Sequence, residues 1–534
     1  MLDFMGGFFE LKTISKNKAN NVRPFIIILA VVCFLVTLGL YWFSVADSWN
    51  FIAVLGVLIP LGVAIAYAHF SGKMSDRAFS LKVYPFVLGL FCLVFVFAIP
   101  PMSSPDEGHH FFSSYWLSDA LTGDSSFDSG NSFPVRSDIV RMYEYSGAAI
   151  GSSGYRTVLD SFELFSSSSQ VESMESFQFD FGSENSIAKI PTVLGITLAR
   201  MLNLGPYPLF YLGRLFAAIF FVACATVAVR LAPIGKPVFM GVSLLPMTLQ
   251  LAASYSYDCG IIAFCFIMIA LLFRALLSRE QIEGRELFSI VVMAAIVAPL
   301  KIVYAPILIL FFFIPQKRFR SKRAAWASKI MILAAAVFSI VLFRLVSVAN
   351  LVGSSGGGSI DHRGSEVGTF YSLHDLLVNP IGTLAMFLRT FDSMGDFYLS
   401  SMLGGLPGWL QANLGSPWFV LIGYIAVLLF VAQKSPDDKV DVASGVRIAL
   451  VVAFLVMFIG ISASMAIGWT FNTEPIIQGV QGRYFLPLLP AILLALRSSD
   501  VLVHKNQMDV CLTSMCFINI CYIMRFAAMA FVLP

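Results

Sequence analysis

Long uninterrupted apolar runs decide what this chain can fold into. They lie at about Pro24 to Val45, Asn50 to Phe70, Val83 to Ile99, Tyr207 to Val229, Pro237 to Ala253, Cys259 to Leu277, Leu287 to Leu300, Ile302 to Ile314, Ile330 to Val348, Trp418 to Ala432, Val446 to Ile467, Tyr484 to Leu496 and Val510 to Val532. Hydrocarbon offers no water to backbone N–H and C=O groups, so such runs must become helices that satisfy their own hydrogen bonds. They are continuous rather than alternating, which excludes a β-barrel. The chain therefore reads as an all-α, polytopic membrane protein with about 13 transmembrane helices. Composition agrees, with 58% hydrophobic residues against 13% charged, a balance no ordinary soluble domain shows.

Other classes find no support. A net charge of +3 gives no footprint for nucleic acid, because what matters in a membrane protein is where the Lys and Arg residues sit. The eight cysteines fall within or beside apolar runs, without metal-ligand or disulfide spacing, and read as small hydrophobes. The run from Pro24 to Val45 is too long for a signal-peptide core and should remain as the first span.

Basic residues orient the spans. Lys12, Lys16, Lys18 and Arg23 precede the first run, and Lys73, Arg77 and Lys82 fill the second junction; both places, and so the N-terminus, are expected to be cytoplasmic. The cluster Lys317, Arg318, Arg320, Lys322 and Arg323 should share a side with Arg279 and Arg285, so an even number of crossings separates them. The intervening Leu287 to Ile314 is interrupted at Pro299, Lys301 and Pro306, which predicts a pair of short helices whose turn carries Lys301, of the kind tolerated where they line a cavity. With that parity, Pro101 to about Pro206, Gly353 to Pro417 and Gly468 to Arg483 face outward. The chain divides into N-terminal helices (1–100), a first large outer loop (101–206), central helices (207–350), a second outer loop (351–417) and C-terminal helices (418–534). Within the first loop, Ile187 to Leu204 holds Lys189 and Arg200 and reads as an interfacial helix.

Candidate chemistry gathers at the outer surface. After the third span come Ser103, Ser104, Pro105, Asp106, Glu107, Gly108, His109 and His110. One reading is structural: Ser104 as N-cap, Pro105 at N1 and Glu107 at N3 make a capping box. The other is catalytic, with Asp106 and His110 four apart on one helical face and His109 adjacent to it, and a carboxylate at an apolar boundary suited to act as a general base. Two acids and two histidines are a weak metal signal. Outer positive charge is sparse: Arg483, Lys301 with Tyr304, and Arg389. Snorkelling explains such residues simply; a phosphate clamp is the functional alternative. Asp258, ending Ser254, Tyr255, Ser256, Tyr257, Asp258, reads first as a helix cap.

The element from Pro101 to Phe111, of pattern P-x-x-x-P-D-E-x-x-H-F with an additional His109, resembles the hallmark of a bacterial family of multi-spanning membrane proteins labelled as a domain of unknown function. Gly479 to Pro487 (G-V-Q-G-R-Y-F-L-P) resembles the same family, as do the S-Y-S-Y-D and L-K-I-V-Y-A-P stretches more loosely. That family in turn resembles GT-C glycosyltransferases, which place an acidic motif in the first large outer loop and take sugars from polyprenyl-phosphate donors. The resemblance implies Asp106 as the base that deprotonates the acceptor hydroxyl, Glu107 as its partner or substitute, and Arg483 and Lys301 as the clamp on the leaving phosphate. It further implies a bacterial inner-membrane enzyme acting on the non-cytoplasmic face, with a polyprenyl-phosphate sugar as donor and a cell-envelope glycan or glycolipid as acceptor. No cofactor is required, and a divalent metal is not excluded. The competing expectation is a transporter or flippase of a lipid-linked saccharide, which broken helices and intramembrane charge also suit.

Overall fold

The structure, a computed structural model, describes residues 49–532 apart from 123–132, 147–149, 175–178, 180–184, 354–368, 436–437, 439, 499–500 and 504. The expected first span, Pro24 to Val45, and residues 354–368 of the second outer loop lie outside these residues. The described chain is almost wholly helical. α1 (Trp49–Phe70) and α2 (Arg77–Ala98) lead to α3 (Glu107–Thr122). A small outer layer follows: α4 (Ser137–Tyr145), α5 (Ser152–Asp160) and the antiparallel strands β1 (Phe133–Arg136) and β2 (Val171–Met174), with Phe133 opposite Met174. Next come α6 (Ser186–Met201), α7 (Pro206–Leu231), α8 (Lys236–Ser243), α9 (Pro246–Ala252), α10 (Asp258–Leu277) and α11 (Gly284–Leu300). A 3₁₀ helix over Ile302–Phe313 precedes α12 (Lys322–Gly353), α13 (Leu373–Val378), α14 (Pro380–Leu403), α15 (Trp418–Ala432) and α16 (Ser444–Trp469). A second 3₁₀ helix, Gly482–Leu488, runs into α17 (Leu489–Ala495), and α18 (Gln507–Val532) closes the fold.

Among the described residues six helices are long and apolar enough to cross a membrane: α2, α7, α10, α12, α16 and α18. Shorter apolar helices cover Leu61–Phe70, Ile302–Phe313, Trp418–Ala432 and Gly482–Ala495. The expected span from Pro237 to Ala253 is not one helix. Pro246 has no N–H to continue a helix and forces the preceding residue out of the α region; Leu245 sits at φ −65°, ψ 140°, and α8 and α9 form separately on either side, buried from Pro237 onward.

The interrupted pair behaves as its prolines suggest. Lys301 is extended (φ −143°, ψ 115°) between α11 and the 3₁₀ helix. At about 2.0 Å per residue, 12 residues of 3₁₀ helix reach about 24 Å, against about 18 Å for an α-helix, so a short segment returns most of the way across. The return is visible in Arg318, which donates to Ala275 O at 3.0 Å and to Glu286 at 3.2 Å. The clusters around Arg285 and Arg318 thus share one end of the molecule. Arg77 donating to Ser435 Oγ and the Arg497–Asp438 pair are contacts among the junctions between the other spans.

α6 is only 16 residues long and packs broadside on α7. Its crossing is tight, since a Cβ on Gly195 would lie 2.8 Å from Gly213 Cα, the close backbone approach small residues permit between membrane helices. Ile190, Leu194, Leu198 and Met201 point outward, while Lys189 and Thr192 are buried. Lys189 does not snorkel, but turns inward to Ser113 Oγ at 2.6 Å.

Candidate functional site

α2 ends where Pro100 and Pro101 can no longer supply helical donors. The chain then turns twice through the left-handed region, at Met102 (φ 63°) and Asp106 (φ 58°), before α3 starts at Glu107. Each such non-glycine residue costs of order 1–3 kcal/mol and persists only where the surroundings enforce it. The Asp106 carbonyl accepts the first bond of the helix, from His110 N at 3.1 Å. Asp106 is therefore not a helical residue, and its spacing from His110 does not set the two on one face.

The Asp106 carboxylate reaches instead across the molecule. Arg483 Nη2 donates to Asp106 Oδ2 at 2.9 Å, and Arg483 Nε lies 3.7 Å from Asp258 Oδ2. The other oxygen of Asp258 accepts from Lys301 Nζ at 3.1 Å. Four charges thus alternate in a row, Asp106, Arg483, Asp258, Lys301, contributed by the turn after α2, the second 3₁₀ helix, the start of α10 and the break after α11. Arg483 and Asp258 are 3% and 6% exposed, whereas Asp106 is 49% exposed, so the row opens to solvent at Asp106. Arg483 is not saturated: Nε and Nη1 are buried without a hydrogen-bond partner. Aromatic faces complete the cationic side, with Lys301 Nζ 4.7 Å from the Tyr257 ring centroid and 4.5 Å from that of Tyr484, contacts that strengthen when desolvated.

Asp258 does not cap a helix with its side chain. The N-cap of α10 is Tyr257, Ser256 Oγ accepts from Asp258 N–H at 3.2 Å, and the carboxylate is left to hold two cations. A polar residue within a stretch already singled out by resemblance was the available signal.

Glu107, expected as the partner or substitute of Asp106, points away from the row. Its side chain is fully buried, gripped by Arg214 through Nε to Oε1 at 2.9 Å and Nη2 to Oε2 at 2.6 Å. The backbone N–H groups of Ser104 and Tyr255 also donate to it, each at 3.3 Å. Because the helix starts at Glu107 rather than Pro105, the expected capping box with Ser104 as N-cap and Glu107 at N3 does not form; the Ser104 bond instead ties the turn before the helix to the Glu107 side chain. Arg214, from the middle of α7, further donates to the carbonyls of Val96, Ile99 and Pro100, satisfying the open end of α2. Four donors occupy this buried carboxylate, which leaves it no face open to a substrate hydroxyl. Arg214 went unnoticed in the sequence, although a charge inside an apolar run is itself a sign that a partner exists.

His110 is buried against Tyr257, ring centroids 4.7 Å apart, with Nδ1 unbonded. Burial, reinforced by the positive charge of Lys189, Arg483 and Lys301, holds its pKa well below the usual histidine value. It is neutral and poorly suited to take a proton. His109 is half-buried, its ring 5.4 Å from that of Phe179. Tyr304 lends structure rather than a free hydroxyl: its OH donates to Tyr484 O at 2.9 Å, tying the two 3₁₀ helices together. Arg389 is exposed and donates to Pro475 O at 3.2 Å; no bond or ion pair among the described residues joins it to the row. Nor do the described residues bring three or more His, Cys, Asp or Glu together around a metal position.

A bundle of apolar helices with a compact polar row at one end defines an integral, multi-spanning membrane protein. The chain belongs to DUF2142, a family of predicted membrane proteins, whose profile matches residues 88–492 and so includes all four members of the row. No curated protein and no solved structure matches it.

Proposed function

We propose that the protein is a GT-C-like glycosyltransferase that moves a sugar from a polyprenyl-phosphate donor to a cell-envelope glycan or glycolipid on the non-cytoplasmic face of the bacterial inner membrane. The observation that carries this reading is the Asp106, Arg483, Asp258, Lys301 row, with its exposed carboxylate at one end and an incompletely bonded arginine beside it. The donor's phosphate and sugar are polar while its tail is lipid-soluble, so transfer has to occur at the membrane surface. There the leaving phosphate meets the positive charge of Arg483 and Lys301, electrostatic stabilisation that needs no metal. Asp106 accepts the proton of the acceptor hydroxyl as its oxygen attacks the anomeric carbon and the carbon–phosphate-oxygen bond breaks. Asp258 holds the two cations in position.

Transfer from a panel of radiolabelled polyprenyl-phosphate sugars by the purified protein tests the class. Donor-dependent product is the expected result. Specific donor binding with translocation across vesicles and no product would favour a lipid-linked saccharide transporter instead.

A further inference from the structure

A second polar site lies at the opposite end of α10. That helix starts at Asp258 and, at about 1.5 Å per residue, carries Arg274 to a level about 24 Å away. Here a cleft of about 210 Å³ opens between the end of α10 and the first turn of α11, room for about seven waters at liquid density. Arg318 lines it and is 1% exposed. Its Nε and Nη2 are used by Ala275 O and Glu286, but Nη1 is buried with no partner. Leaving a buried charged donor unmatched is costly, and a ligand in the cleft would remove that cost. Arg274 also lines the cleft, half-exposed and 4.0 Å from Glu286. The N-cap of α11, Glu283, makes no side-chain cap bond, so the first N–H groups of this 17-residue helix add the positive end of its dipole to the same place.

The position selects the ligand. α7 and α10 end at Leu231 and Leu277, so the cleft stands at headgroup level, with Leu231 and Leu271 in its wall and Phe288 beside it 68% exposed. Basic pockets between membrane helices hold phospholipid headgroups. Arg285, also exposed, adds a third guanidinium to the wall, while Glu280, Glu283 and Glu286 bring three carboxylates; the matched charges oppose a net anionic headgroup, and the exposed Glu280 and Glu283 suit a cation. We propose that the cleft binds a zwitterionic phospholipid, its phosphodiester on Arg318, Arg274 and the start of α11, and its ammonium at Glu280 and Glu283.

Native mass spectrometry of the full chain, delipidated and then offered phosphatidylethanolamine, phosphatidylglycerol or inorganic phosphate, tests this without reference to sugar transfer. Retention of phosphatidylethanolamine over phosphatidylglycerol is expected. Arg274→Gln, at an exposed position that spares the fold, should weaken retention about fivefold, and Glu280→Gln with Glu283→Gln should erase the preference between the lipids. Equal retention of both lipids by wild type and Arg274→Gln would overturn the site. Inorganic phosphate binding as tightly as the lipid would overturn the lipid assignment.

Discussion

Asp106 combines three properties rarely found in one residue: an ion pair with a buried arginine, half-exposure, and a left-handed backbone. Asparagine tolerates that conformation nearly as well as aspartate, so Asp106→Asn removes charge while keeping geometry; alanine there would add strain to the loss. Glu107 next door should behave oppositely. Glu107→Gln leaves Arg214 buried with an uncompensated charge, a loss of about 3–5 kcal/mol, so thermal melting should fall sharply for this variant and little for Asp106→Asn. Equal melting temperatures for the two would refute the division into a working and a structural carboxylate. His110 makes a pH prediction. Its folded pKa lies below the unfolded value of about 6.5, so below that pH the unfolded chain takes up a proton the folded one refuses. The contribution of His110 to stability should therefore fall away as pH drops through about 6 and be constant above 7, so the stability difference between wild type and His110→Gln should change with pH only in the acid range. Melting curves at several pH values, wild type beside variant, measure it.

Between elements, the row depends on how two 3₁₀ helices are held. A Cβ on Gly482 would lie 1.9 Å from Tyr398 O, so Gly482→Ala must push the second 3₁₀ helix off α14 and carry Arg483 with it. A destabilisation of about 1–3 kcal/mol is expected, with sugar transfer falling further than stability alone explains; a variant as stable and active as wild type would show that this contact does not position Arg483. Element by element, the sequence was legible where pattern and chemistry coincide. Pro299, Lys301 and Pro306 announced the broken pair, and the basic residues announced that Arg285 and Arg318 share an end. The break at Pro246 was missed because Pro237 to Ala253 is apolar on both sides of it, and hydropathy does not distinguish one crossing helix from two buried ones.

For the molecule as a whole, distant stretches singled out by resemblance, P-D-E, S-Y-S-Y-D, L-K-I-V-Y and G-R-Y, each supply one charge to a single row. Asp106, Lys301 and Arg483 were readable as candidates because outer charge is sparse. What spacing cannot reveal is which charges meet: Asp258 looked like a cap, Glu107 like a partner or substitute of Asp106, and Arg389 and Tyr304 like parts of a clamp, since pairing across 377 residues is a property of the packed bundle alone. The most direct measurement is the initial rate of sugar transfer from a polyprenyl-phosphate donor by Asp106→Asn beside wild type, each normalised to folded protein. A loss of about 100-fold or more, the scale of a general base, at an unchanged melting temperature is the expected result. Transfer at the wild-type rate would contradict Asp106 as the base.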